Sequence, residues 1–204
     1  MRKIQIKAVV ILSLFSAVMS SQAGTYDFKD PKGVNNATFT LDAPLEAIRG
    51  SASGVSGTVS FDPEKPESTT GKIVVSSSSI RVGNPMMQQH LEGAKWLEVS
   101  KYPEITFEVG EMKNTKKDGI NITADVVGTF SLKGVTKSIT LPVKFTYLKD
   151  KLGQRVPNTQ GDLLVIRANF SIKRSDFGIQ PGQMEEKVAE QIDLALSIAG
   201  ACPK

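Results

Sequence analysis

The chain has 204 residues, enough for one domain with a substantial core. Its formal net charge of +4 owes much to Arg2, Lys3 and Lys7, three of its 25 basic residues against 21 acidic ones. Without them the charge is near balance, which gives no argument for a nucleic-acid partner.

Arg2, Lys3 and Lys7 form a positive n-region, and Ala8 to Met19 is an uncharged apolar run. Ser21-Gln22-Ala23 then offers small residues where a signal peptidase reads, while the apolar run is short of the ~20 residues a transmembrane helix needs. Residues 1–23 therefore read as a cleaved secretory signal, residues 24–204 as a single exported domain, and the location as periplasmic or secreted. A lone Cys202 permits no internal disulfide. It reads as a tolerated tail thiol, with pairing to another chain, and so a homodimer, as the alternative.

Short strands are expected at Tyr26 to Phe28, Ala37 to Leu41, Leu45 to Arg49 and Thr58 to Phe61, with Gly50 to Gly57 as a loop between the last two. Gly71 to Ile80 reads as a strand ending in four serines, small side chains packed near one end. Asn84 as N-cap and Pro85 at the first helical position start the one convincing helix. In it Met86, Met87, His90 and Leu91 recur at helical spacing up to Gly93, and a second turn carries Ala94 to Leu97. Ile105, Phe107 and Val109 then alternate with polar neighbours, and Asp118-Gly119 reads as a hairpin turn.

The second half alternates almost without error. Ile120, Ile122, Ala124, Val126, Gly128, Phe130 and Leu132 share one face. Ile139, Leu141, Val143, Phe145 and Tyr147 repeat the pattern, as do Leu164, Ile166, Ala168, Phe170 and Ile172, then Ile192, Leu194, Leu196 and Ile198. Successive strand side chains point to opposite faces, so each segment has one apolar and one polar face. Nothing between these strands is long enough for a parallel crossover helix. About eight antiparallel strands, the later ones long and one-sided, predict an all-β, extended eight-stranded antiparallel barrel with a short helical insertion.

No charged residue lies on the inward face of the four best strands, and Ala124, Gly128 and Ala168 leave room there. A thirteen-residue strand tilted in a barrel spans some 30 Å along the axis, which suits a chain-like apolar ligand. Burying a sixteen-carbon tail is worth about 12 kcal/mol relative to water, and a bilayer offers much the same gain. Such a bore would exchange lipid with a membrane nearly isoenergetically, through transient contact with the membrane surface, and would not release it into water. Alternation leaves a filled core equally open. Phe107, Ile122, Val126, Phe130, Leu141, Phe145, Ile166 and Phe170 are the lumen candidates by parity. One histidine and one cysteine far apart leave no metal-ligand spacing, and no phosphate loop, nucleophile elbow or His-Glu-x-x-His motif occurs. No catalytic residue and no cofactor is assigned, and an enzyme is the weakest class.

Three motifs carry a resemblance. His90-Leu91-Glu92-Gly93-Ala94-Lys95-Trp96-Leu97-Glu98-Val99, continuing through Lys101 to Phe107, is similar to the signature of the YceI-like polyisoprenoid-binding family. Gly128 to Lys137 resembles that family's G-x-L-x-L-x-G-V-T-K strand pair, and Arg174 to Gly178 its R-x-D-F-G turn. The resemblance implies an extracytoplasmic, lipocalin-like barrel holding a polyisoprenoid or similar long-chain amphiphile, for transport or storage. The Arg81 to Gln89 region departs from the commoner version and lies near one barrel end. There Met86, Met87 and Leu91 are candidates for a pliable lid or for helix-on-barrel packing. Trp96 reads as a structural plug at the mouth, and His90 as a structural histidine or a head-group donor. Asp176 reads as fixing its turn. Two other readings remain open: a transmembrane barrel with its apolar face outward, with few aromatics for two girdles, and a filled barrel serving as an interaction module for a membrane or stress-response partner.

Overall fold

The computed structural model describes residues 23–204, so the signal-peptide reading lies outside the described residues. Five long strands form most of the wall: β7 (Glu104–Asp118), β8 (Asn121–Leu132), β9 (Val135–Leu148), β10 (Gly161–Lys173) and β11 (Gln191–Pro203). Each pairs antiparallel with the next. Six shorter strands precede them: β1 (Gly24–Asp27), β2 (Asn36–Asp42), β3 (Ala47–Ala52), β4 (Val55–Phe61), β5 (Thr70–Ser76) and β6 (Ile80–Val82). The sheet order is β1-β4-β5-β7-β8-β9-β10-β11-β2-β3-β6, and Asp27 pairs with Ala201 to close β1 onto β11. This is the expected eight-stranded antiparallel barrel, with additional strands in its first half. Closure of β1 onto β11 leaves β6 as the strand with a free edge among the described residues.

The extra strands arise because three wall positions are filled by broken strands. β11 pairs with β1 near its end and with β2 over Asp193 to Ser197, so β1 and β2 share one lane. β4 lies between β1 and β5, while β3 lies between β2 and β6. Only Ser53 and Gly54 separate β3 from β4, where the sequence suggested a loop from Gly50 to Gly57. The glycines make room inside the sheet instead: a Cβ at Gly50 would stand 2.3 Å from the Phe39 ring. The serine run is a 3₁₀ turn, Ser77–Ser79, between β5 and β6, not a continuous strand. Ser77 Oγ donates to the Tyr102 carbonyl at 2.8 Å, and any side chain on Gly54 would collide with Ser76 and Ser79.

At the β7–β8 turn, Ile120 is 53% exposed, contrary to its place in the apolar series. The turn residues carry it out of the pleat, and Tyr147 donates its N–H to the Ile120 carbonyl. Along β8 the alternation then holds from Ile122 to Leu132. Polar and charged residues such as Thr123, Lys144, Arg167 and Asp193 point to solvent. The apolar face is therefore the inside, which removes the outward-facing transmembrane arrangement.

Helix α1 (Pro85–Glu92) starts as expected: Asn84 Oδ1 accepts from Met86 N at 2.9 Å and Met87 N at 3.1 Å. It is held against β6 by Gln88, which accepts from Val82 N at 3.0 Å and donates to Ile80 O at 2.9 Å. Those bonds occupy the free edge of β6, the one exposed end of the sheet order.

Two apolar clusters of buried side chains stand inside the barrel, one toward each end. At one end Phe61 stacks on Phe145 at 5.5 Å, with Tyr26, Phe28, Ile122, Leu164 and Ile198 around them. At the other, Phe177 meets Phe130 edge-on at 5.5 Å, among Ile80, Leu97, Leu132, Ile172 and Ile179.

Candidate functional site

A cavity of about 590 Å³ extends between these two clusters and opens to solvent. Several inward side chains of the wall, Phe107, Phe170, Leu194 and Leu196 among them, are only partly buried although they face the interior. They face empty space. This separates hollow from filled: the solid packing belongs to the far end of the barrel, and the middle and mouth are open. The volume lies within the ~300–1,000 Å³ range of small-molecule sites.

Of the lumen candidates, Phe107, Val126, Phe130 and Leu141 line the cavity, as do Phe145, Ile166 and Phe170. Ile122 does not. At 1% exposure it is locked into the solid end, nearer the β7–β8 turn than Val126, the first residue of β8 to reach the void. Both alanines belong to the same buried cluster, but Ala168 also borders the cavity and leaves room there, whereas Ala124 does not reach it. Gly128 opens no space in the bore: the Phe107 ring occupies it, since a Cβ there would stand 2.4 Å from Phe107 Cζ.

Met86, Met87, His90, Leu91 and Trp96 all border the cavity, so α1 and the turn after it stand at the opening. Trp96 is half-buried against the mouth-end cluster. His90 is exposed at the rim.

The other wall of the opening was missed by sequence reasoning. Ile179, Met184, Lys187 and Val188 come from the loop between β10 and β11, and Glu46 and Ile48 from the β2–β3 hairpin. Neither segment has a repeating pattern that would have announced it. The loop is held by Arg174, which is fully buried at 0% exposure and also borders the cavity. Its Nε donates to Ala189 O at 3.2 Å, Nη1 to Ile179 O at 3.0 Å and to Gln180 O, and Nη2 to Val188 O at 3.3 Å and to Gln183 O. Glu190 supplies the opposite charge, with its Oε2 3.7 Å from Nε. A guanidinium presents five donors in a rigid fork, which is the chemistry needed to gather five carbonyls. Asp176 points to solvent and ion-pairs with Lys137 at 2.9 Å, fixing the turn against β9.

Chemically the cavity is apolar along β8 to β11; its polar lining groups are Glu46, Asn84, His90 and Lys187 at the opening, the buried Arg174, and Thr38, Thr69 and Thr106. Among the described residues no three His, Cys, Asp or Glu side chains come together as a metal site, and no helix is long and apolar enough to cross a membrane. Cys202 is partly buried opposite Asp162 in the β10–β11 ladder.

The YceI-like domain model matches residues 15–199. A UPF0312 protein of Azotobacter vinelandii is 29% identical over 198 residues, covering 95% of this chain and 97% of that one. A UPF0312 protein of Yersinia pestis is 31% identical over 153 residues, 75% of this chain and 73% of its own. Among solved structures, Burkholderia cenocepacia BcnA superposes with a TM-score of 0.65 at 20% identity, covering 81% of this chain and 95% of that one. The Campylobacter jejuni YCEI protein gives 0.61 at 24% identity, covering 74% and 83%. A polyisoprenoid binding domain from Saccharophagus degradans, implicated in plant cell wall breakdown, gives 0.63 at 13% identity, covering 89% and 100%. With the family model spanning most of the barrel and these structures sharing its fold, the chain belongs to the YceI-like domain family.

Proposed function

We propose that this protein is an exported carrier or store for a long-chain apolar lipid of the polyisoprenoid class, held with its tail in the barrel and its polar end at the α1 opening. The observation that carries this reading is the cavity itself: about 590 Å³, uncharged along β8 to β11, and open to solvent, with Glu46, His90 and Lys187 on its lining. Each methylene moved from water into such a space gains ~0.8 kcal/mol, so a long tail is held firmly against loss to water. The polyisoprenoid binding domain from Saccharophagus degradans shares the fold and supports the choice of lipid class. Export follows from the basic and apolar segment before Ala23. Neither catalysis nor a cofactor is needed for this work.

Organic extraction of the purified protein, read by mass spectrometry, is expected to recover a lipid in near-stoichiometric amount. Ala168→Phe, which pushes a ring into the cavity, is expected to lower that amount severalfold. Repeated recovery of nothing from the unaltered protein, and no uptake of added isoprenoid, would end the proposal.

A further inference from the structure

Among the described residues the large exposed hydrophobics are Val34, Leu45, Met86, Ile120 and Met184. Three of these surround one feature. Met86 and Met184 both border the cavity, and Leu45 lies against the segment that carries Met184, its N–H donating to Glu186 O at 2.9 Å. They come from three separate segments: the β2–β3 hairpin, α1 and the β10–β11 loop. Their exposures are 64% for Leu45, 67% for Met86 and 53% for Met184, so no part of the barrel covers them. Single exposed apolar residues need no explanation, but two on the lining of an apolar cavity and a third on the adjoining hairpin set exposed apolar surface beside its mouth.

Charge narrows the occupant. Residues 42–46, 84–97 and 180–188 carry Asp42, Glu46, Glu92, Glu185 and Glu186 against Lys95 and Lys187. An acidic collar repels an anionic lipid surface, and it repels the same collar on a second copy of the chain. An electrically neutral bilayer surface meets both conditions: it accepts the apolar tips and does not oppose the collar.

We infer that Leu45, Met86 and Met184 form a docking tip that seats the cavity mouth on a zwitterionic bilayer, with the acidic collar excluding anionic surfaces. The inference rests on the lipid-carrier reading and adds where, and on what surface, transfer takes place. Side chains at such a tip enter the head-group and acyl boundary, and a lipid tail then moves between bilayer and lumen without crossing water.

The test is flotation of the purified protein with vesicles of phosphatidylcholine, alone or with about one third phosphatidylglycerol. Binding is expected to phosphatidylcholine, to weaken when phosphatidylglycerol is added, and to recover in high salt as the repulsion is screened. Leu45→Ser, a residue outside the cavity wall, is expected to lower the bound fraction about fivefold while leaving extractable lipid unchanged. The Glu185→Lys, Glu186→Lys double variant is expected to gain binding to the phosphatidylglycerol vesicles. Absence of binding to phosphatidylcholine, equal binding by Leu45→Ser, or stronger binding of the unaltered protein to phosphatidylglycerol would overturn the inference. So would a dimer in sedimentation that Leu45→Ser dissolves, because the tip would then belong to a second copy. Vesicle binding by a protein that yields and takes up no lipid would sink the carrier reading and leave the docking tip standing.

Discussion

Arg174 shows how one residue shapes an opening it does not itself close. Its guanidinium is buried because five backbone carbonyls of residues 179–189 converge on it and Glu190 balances its charge. Replacing it with Met keeps the bulk but orphans those acceptors, each expensive to leave buried without a donor. Arg174→Met is expected to lower stability by about 3 kcal/mol, read from urea denaturation, with Arg174→Lys recovering little because an ammonium lacks the fork. Gly128 is the opposite case, a residue that matters for what it lacks. Its missing side chain seats the Phe107 ring, and an added Cβ would also stand 2.5 Å from the Glu108 carbonyl. A backbone oxygen has little freedom to retreat. Gly128→Ala is expected to cost about 1–3 kcal/mol in the same assay.

Among the elements, the broken first lane is held together by a side chain that takes the place of a peptide group. Between β1 and β2 the chain leaves the sheet, and Asn35, 2% exposed, fills the gap. Its Oδ1 accepts from Ala199 N at 2.9 Å and its Nδ2 donates to Ala199 O at 3.1 Å, the exchange a neighbouring strand would make with β11. Nδ2 also donates to Phe28 O at 2.9 Å, and Arg155 donates to Oδ1 at 3.1 Å, so the amide's hydrogen-bonding capacity is fully used. Arg155 reaches on to Asp30 at 2.8 Å, tying this loop to the β9–β10 connection. Asn35→Leu is expected to cost about 1–3 kcal/mol and to speed hydrogen exchange at the Ala199 amide more than at amides of β8. Equal exchange at both places would show that the lane does not depend on this amide.

For the molecule as a whole, a group of buried and half-buried ionisable side chains outside the cavity makes stability depend on pH. Burial raises the Asp162 carboxyl, but the Asp150 N–H at 2.7 Å, Lys204 at 3.0 Å and the Tyr147 hydroxyl at 2.9 Å together hold it below its ordinary value. Asp30 behaves alike: burial opposes ionisation, and the N–H groups of Asn35, Lys32 and Val34, with Arg155, more than offset it. Both groups bind a proton more readily when unfolded. Their stabilisation is therefore present above the ordinary carboxylate range near pH 4 and lost as pH falls through the lowered folded values. Burial, then the bond to Asp162, pushes Tyr147 up to about 12 from 10.0. That favours the folded state below pH ~10 and is lost as pH rises through the folded value. Melting temperature measured across pH is expected to fall at both ends, and Asp162→Asn to flatten the acid limb. An unchanged acid limb in that variant would assign the loss to other carboxylates.

The alternation from Ile122 to Ile198 determined by itself that each strand of the wall is one-sided, because side-chain direction in a strand follows from backbone geometry alone, and the short connections made the pairing antiparallel; that the apolar face is the inside was decided by the closed barrel. The Asn84-Pro85 cap of α1 was legible for the same local reason. In the first half, local cues misled: Gly50 reads as a loop residue, and only the position of Phe39 on the adjacent strand shows that it makes room within the sheet. The fate of Ile122 and the emptiness beside Phe170 depend on how far along the barrel each residue stands and what faces it across the bore. The rim depends on segments brought together from residues 42–46, 84–90 and 180–188, which share no pattern and meet only once the barrel has closed. Periodicity reports which way a side chain points; whether anything stands opposite it is a property of the packed molecule.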